Sequence, residues 1–386
     1  MDTRQIHITG SQALMLMRAA RAGRIVAAQV ASMPHVAAPP QLSSLEDLGI
    51  ADILTWLGVS AEEPLDVLSC STDTRMRVLG VRAHVLGASL PPNTVLELKQ
   101  VQHQGHKASD GTREPCDPLH WNPNTRVFVD GPPLALVRVA HRLEQLVAHM
   151  RMDDLEAQLR LIALACEFCG SYAREPFDPR GGPCHYDEPG RCDRLISPRE
   201  LQTALRDLRG VSGLARARRA AAYALDFSGS PMETYVDLGL FLPPRLAGLS
   251  LRMPLLNQQI EVPKEVRHRL RHTSLRPDMH WPNQSLLGEY FGDDEHASKR
   301  ARVEDKNRMQ DYATAGYAPV LLMFDDVRNA TALNRTAQRL ARMLMERGVS
   351  GELYRVRRTL REEGFAAKQR VLVKTLLPPV RRYEGA

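Results

Sequence analysis

Residues 286–292 read LLGEYFG, an apolar run with a carboxylate, Glu289, at its centre. Leu286, Leu287, Tyr290 and Phe291 have the character of a buried strand, where a carboxylate without a partner is costly. Upstream, RPDMHWP (276–282) and LLNQQIEV (255–262) are each consistent with a further strand. SPMET (230–234) places Ser230 at an N-cap, Pro231 at N1 and Glu233 at N3, so a helix begins at 231 and FLPP (241–244) ends it. Downstream, the pattern predicts a helix from about Ser298 to Ala315 that closes on Gly316, and a strand over Val320–Phe324. A last helix has Leu333, Ala337, Leu340, Ala341 and Leu344 on one face. The order α, β, β, β, α, β, α over residues 226–350 predicts an α/β domain.

Three carboxylates occupy telling places in that order: Glu233 on the first helix, Asp278 on the middle strand and Glu289 on the next. If the two strands are neighbours, Asp278 and Glu289 meet at one end of the sheet. Oxygen ligands so placed suit a hard cation such as Mg²⁺ or Mn²⁺, which would bridge a phosphate and activate a water. Simpler readings stand beside this one. Glu233 completes a capping box with Ser230, and Asp278 beside Pro277 makes a turn.

The segments SPMET, RPDMHWP, LGEYFGDDEH, EDKNR and AGYAPVLLMF together resemble the PD-(D/E)XK nuclease superfamily, in its branch related to very-short-patch repair endonucleases. The resemblance covers about residues 228–348 and implies a restriction-endonuclease-like αβββαβ core. It implies a Mg²⁺-dependent DNA endonuclease in which Glu233, Asp278, Glu289 and His296 are catalytic and Asp278 and Glu289 hold the metal. Asp305 and Arg308 correspond to a conserved-type D-x-x-R pair on the helix after the third strand. One departure stands out. The third position of the (D/E)-x-K motif is Phe291, which shares the face of Glu289 and can neither bind a metal nor position a water. Lys299 or Lys306 would have to reach in from the helix. The alternative function is therefore a nucleic-acid-binding regulator that keeps the nuclease fold without its activity.

The chain has 386 residues, enough for two or three domains. Hydrophobic residues at 43% and charged residues at 25% exclude a wholly disordered, collagen-like or coiled-coil chain. The N-terminal part reads as α+β: a helical region over 1–63, a small β-rich module over 64–138 with runs such as TRVFVDG (125–131), and a helical bridge over 139–225. These features resemble bacterial proteins that join an AbiEi-type antitoxin or regulator module to such a nuclease-like domain, which implies a partner such as a toxin or another defence component. No P-loop, G-x-G-x-x-G, H-E-x-x-H or G-x-S-x-G motif is present.

The formal net charge of +6 resides wholly in residues 354–386, which carry nine basic and three acidic residues. A basic tail over 351–386 and an Arg-rich segment containing Arg216, Arg218 and Arg219 are thus candidates for DNA backbone contacts, with Arg308 beside them; a solvated helix face is the plainer reading. Cys166, Cys169, Cys184 and Cys192 offer four soft ligands for zinc, although Cys166 and Cys169 also fall on an apolar helical stripe with Leu155, Leu159 and Ile162. The opening MDTRQIHITGSQALMLMRAAR is too broken by Arg18 and Arg21 for a signal peptide, and no run of 18 apolar residues exists, so no membrane span and a cytoplasmic location are expected.

Overall fold

In the computed structural model the described residues are 4–30, 45–60, 62–69, 80–85, 90–91, 93–101, 118–174, 194–262, 264–272, 274–291 and 299–378. The chain forms two compact units, Met1–Ala224 and Leu225–Ala386. Both combine helices with mixed β-sheets, so the protein is of mixed α/β class.

The first unit holds strands β1 (Arg4–Ile8), β2 (Ile25–Gln29), β3 (Leu65–Ser69), β4 (Val81–Val85), β5 (Val95–Gln100) and β6 (Thr125–Asp130). Its helices are α1 (Gly10–Arg21), α2 (Ala51–Leu57), α3 (Pro132–Ala148), α4 (Asp154–Cys169), α5 (Pro198–Asp207) and α6 (Leu214–Ala221). The strands form one sheet in the order β2-β5-β6-β1-β3-β4, with β1 and β6 parallel at its centre. Asp130, fully buried at the end of β6, ties these two strands to α1. It accepts hydrogen bonds from the Thr9 hydroxyl (2.5 Å) and the Gly10 N–H (3.0 Å) and meets His7 Nε2 at 2.9 Å. Burial pushes its carboxyl up, but the bonds from His7 and Thr9 and the charge of Arg138 prevail and hold it below the usual carboxylate range.

This arrangement corrects the division expected for the N-terminal part. Residues 1–63 are not a helical region, because β1 and β2 lie within them and belong to the same sheet as the strands of 64–138. The expected helical bridge packs in the same unit, α3 against α4 and both against α6. Pairings across a hundred residues leave no local trace. The cysteine question resolves in part: Cys166 and Cys169 are fully buried on the packed face of α4, while Cys184 and Cys192 lie outside the described residues.

The second unit contains α7 (Pro231–Phe241), β7 (Leu255–Leu256), α8 (Lys264–Arg267), β8 (Met279–Trp281), β9 (Leu286–Phe291), α9 (Lys299–Thr314), β10 (Ala318–Met323) and α10 (Ala330–Glu346). Its sheet runs β10-β9-β8-β7, with β9 and β10 parallel and the other pairs antiparallel. The strand expected over 255–262 is only two residues long, because Asn257 takes a left-handed conformation (φ 47°) and breaks it, with a single bridge resuming at Ile260. A core of Ile260, Val262, Leu275, Leu287 and Tyr312 lies between the sheet and α9. On α7, a Cβ at Gly239 would come within 2.7 Å of Leu333 Cδ2, so this glycine lets α10 approach closely.

The expected basic tail is largely folded. Residues 352–376 form α11 (Glu352–Thr359) and α12 (Phe365–Leu376), which bury Val356, Phe365, Leu372 and Leu376, and Asn334 of α10 exchanges amide hydrogen bonds with Gln369 at 2.9 and 2.7 Å. Their hydrophobic spacing holds the basic residues on the outer faces.

In the first unit Gly213 (φ 88°) starts α6, and a Cβ there would lie 2.5 Å from His141 N and Val137 O of α3. Gly213→Ala is expected to destabilise the protein by about 2 to 4 kcal/mol through left-handed strain and backbone overlap, read as a lower urea midpoint. An unchanged midpoint would refute the tight α3–α6 contact.

Candidate active site

Helix α7 starts in a defined register because Ser230 Oγ accepts the Glu233 N–H at 3.1 Å with Pro231 at N1. That register puts Glu233 and Asp237, four residues later, on one face. The Glu233 carboxylate is itself held: its Oε2 accepts the Gly229 N–H at 2.8 Å and Asn257 Nδ2 at 2.7 Å. The break in the strand at Asn257 is what allows that side chain to reach α7, and the Asn257 N–H bonds the Asp278 carbonyl at 3.0 Å. Gly229 leaves room for the carboxylate, since a Cβ there would sit 2.9 Å from Glu233 Oε2.

Asp278 lies one residue before β8 and its Oδ2 accepts the Tyr290 N–H of β9 at 2.7 Å. This bond stitches Asp278 to the strand that carries Glu289. The two carboxyl groups are close enough to act on each other electrostatically, and the Tyr312 hydroxyl of α9 donates to Glu289 Oε1. Glu289 is only 2% exposed, and Asp237 likewise 2%. Asp237 Oδ1 has no hydrogen-bond partner among the described residues.

Four acids from α7, the segment before β8, and β9 therefore share one poorly solvated region. Burial pushes the Glu289 carboxyl up to about 7, against the opposing bond from Tyr312 and the charge of Arg308. Asp278 is raised well above its ordinary value by burial and by the charges of Glu233 and Glu289. Asp237 is raised well above its own by burial and by Glu233, and Glu233 is raised chiefly by burial. Like charges this close cannot all ionise, so the group retains protons near neutrality. Burial and the adjacent Glu289 also push the Tyr312 hydroxyl far up, which keeps it a donor.

Among the described residues no group of three His, Cys, Asp or Glu side chains is arranged to hold a metal ion. Magnesium asks for less, since it is commonly bound through one or two carboxylates with the rest of its shell from water and phosphate. Asp278 and Glu289 supply such a pair, and the protons they retain are what a cation would displace. The donor set is all oxygen and fits a hard cation.

Of the other residues expected at the site, His296 and Gly292 lie outside the described residues. Phe291 is partly buried at the end of β9. Lys306 points to solvent, and nothing is described of the Lys299 side chain. Two cations act on the cluster: Arg308, paired with Asp305 at 2.8 Å and electrostatically coupled to Glu289 and Tyr312, and Arg276, which acts on Glu233.

The expected backbone-binding arginines fare differently. Arg216 is 6% exposed and pairs with Asp154 and Glu144, so it belongs to the core of the first unit and not to a basic surface. This corrects its assignment, and the reason is the small Ala-rich face of α6, which seats the helix deeply enough to bury position 216. Arg218 donates to the carbonyls of Leu205, Arg206 and Leu208 and so caps α5. Arg219 is exposed. His272 has a structural role, meeting Asp311 at 2.6 Å.

Asp237 was not singled out from the sequence, although a signal existed: an acid four residues after Glu233 in an otherwise apolar turn, TYVDLGL. Tyr312 and Asn257 gave no such signal, being ordinary in their local setting.

No family model matches the chain, and no solved structure matches it. Two uncharacterized proteins of Mycobacterium tuberculosis, from strains CDC 1551 / Oshkosh and H37Rv, are each 28% identical to it over 166 residues, covering 42% of this chain and 52% of the relative. The chain thus spans about half the length of the curated relatives it matches.

The raised Glu289 carboxyl predicts a pH dependence with a definite sign. The folded protein keeps a proton that the unfolded chain releases near its ordinary value of about 4.3, so stability is full at low pH and falls as pH rises towards about 7. Glu289→Gln removes that loss. Its melting temperature relative to wild type is expected to rise by about 5 to 10 °C between pH 5 and pH 8, the shift that about 2.5 kcal/mol gives in a domain of this size. A difference that is constant across that range would sink the assignment.

Proposed function

We propose that residues 225–386 form a restriction-endonuclease-like domain of the PD-(D/E)XK type and that the protein is a Mg²⁺-dependent DNA endonuclease acting in the bacterial cytoplasm, in defence or repair. The observation that carries this reading is the meeting of Glu233, Asp278 and Glu289 from α7, the segment before β8, and β9, in the order α7, β7, α8, β8, β9, α9, β10. The strand and helix order is compatible with many α/β proteins; the convergence of acids is what favours phosphodiester chemistry.

In this reading Asp278 and Glu289 hold the cation, and a bound Mg²⁺ or Mn²⁺ supplies neutralisation of phosphate charge and acidification of a water. The hydrogen bonds of Gly229 and Asn257 hold the Glu233 carboxylate where it orients the attacking water. Tyr312 fixes the Glu289 carboxyl towards Asp278. Arg308 offers the positive charge that Phe291 lacks at the motif's third position. Asp237 retains a proton and limits the negative charge of the pocket. His296 is assigned to the scissile phosphate by resemblance alone.

Phe291 favours a second reading, a nucleic-acid-binding regulator with a silent site, paired with a toxin or other defence component. The two differ in what they cut. Wild type is expected to nick supercoiled plasmid with Mg²⁺ or Mn²⁺ at least about 100-fold faster than Asp278→Ala, the scale of losing one electrostatic group in a catalytic site. Calorimetry should show proton release on metal binding near pH 7, reduced in Glu289→Gln. If wild type cuts no better than Asp278→Ala with any divalent metal, the enzyme reading fails and the regulator remains.

A further inference from the structure

A cavity of about 460 Å³ lies between the start of α10 and α12, lined by Asn329, Thr331 and Arg335 on one side and Arg370 and Lys374 on the other. None of the three cations has an ion-pair partner among the described residues, and all three are exposed. The acids that precede Arg335 are engaged elsewhere, Asp325 with Arg328 at 3.2 Å and Asp326 with Arg339 at 3.7 Å. Three unmatched charges around one hollow repel each other, so the site is at its most favourable with an anion inside.

The local backbone adds to this. Asn329 Oδ1 takes the Ala332 N–H at 2.9 Å, which leaves the amides of Ala330 and Thr331 at the positive end of a 17-residue helix beside the cavity. The charge also continues past the mouth: Arg342 lies seven residues after Arg335 on the exposed face of α10, about 10 Å on at 1.5 Å per residue, with Arg339 between them partly offset by Asp326. A free phosphate needs one pocket. A row of cations leading out of a pocket matches a polymer whose charges repeat.

We infer that the α10–α12 cleft binds the phosphodiester backbone of a nucleic acid, with Arg335, Arg370 and Lys374 as its phosphate contacts. This rests on the reading of the domain as one that acts on DNA, and deepens it by locating where the strand is held apart from the acidic cluster. It also gives the folded basic tail a use: α12 carries two of the three contacts.

The test is binding of the full chain to a fluorescein-labelled 20-base-pair duplex, measured by anisotropy in EDTA so that the acidic cluster plays no part. Replacing Arg335, Arg370 and Lys374 by Ala should weaken binding at least tenfold at 0.1 M salt. It should also flatten the log K against log salt slope by about 2 to 3, since each neutralised phosphate contributes about 0.9. Removing three exposed cations of the first unit (Lys99→Ala, Arg142→Ala, Arg151→Ala) should cost less than threefold. Arg335→Lys with Arg370→Lys should retain affinity within about twofold, which excludes misfolding as the cause.

Equal losses in the two triple variants, or no loss in the first, would overturn the inference. So would displacement of DNA by millimolar inorganic phosphate at constant ionic strength, which would make the site one for a free anion, or loss of anionic-vesicle binding without loss of DNA binding. Cutting is scored separately: a protein that cleaves nothing but loses DNA with the first triple variant refutes the nuclease and keeps the cleft, and the converse result does the opposite.

Discussion

Burying Glu289 inside an apolar strand is unfavourable unless its oxygens are matched, and the second unit is built around that requirement. The Tyr312 hydroxyl meets one oxygen, and the neighbouring Asp278 carboxyl retains a proton beside it. Asp278 can do so only because the Tyr290 N–H pins it to β9. The remaining acids, Glu233 and Asp237, arrive from one face of α7 and raise the cost again through like charge. A fold optimised for stability alone would place apolar side chains at these four positions. Their retention is the observation on which the proposed cation site rests.

The two units handle buried charge in opposite ways. In the first, Asp130 is surrounded by donors and stays ionised, and Arg18 meets Glu167 with two bonds of 2.8 and 2.7 Å. Those groups pair opposite charges and join β1, β6, α1 and α4, although His7 Nδ1 and two nitrogens of Arg138 have no hydrogen-bond partner among the described residues. In the second, acids face acids with too few donors, and Asp237 keeps an oxygen unmatched among the described residues. The difference lies in the sign of the neighbours: opposite charges meet in the first unit, and like charges meet in the second. The cations differ too: Arg216 is buried in a pair with Asp154, while Arg335, Arg370 and Lys374 have no ion-pair partner among the described residues.

Much of the second unit was legible because its signals are local. Ser230, Pro231 and Glu233 mark a helix start, Gly316 a helix end with φ 90°, and the LLGEYF run a buried strand. Glu289 stood out because a carboxylate is anomalous within that run. The short strand at 255–256 was overestimated because the left-handed turn at Asn257 depends on its bond to Glu233, a contact formed only in the folded chain. Asp237 was passed over because one acid on a helix is ordinary until its neighbours are known.

Residue pattern by itself determined the α/β class, the main elements from α7 to α10 apart from the short α8, and three of the four clustered acids, since caps, alternation and anomalous charge act over a few residues. Only the tertiary structure decided that β1 and β2 share a sheet with β5 and β6, that Arg216 is buried, that the C-terminal basic segment folds onto α10, and that Asp278 comes close to Glu289. These depend on which distant segments pair and on how close the side chains come, and both follow from the summed packing of the whole chain, not from any window of it.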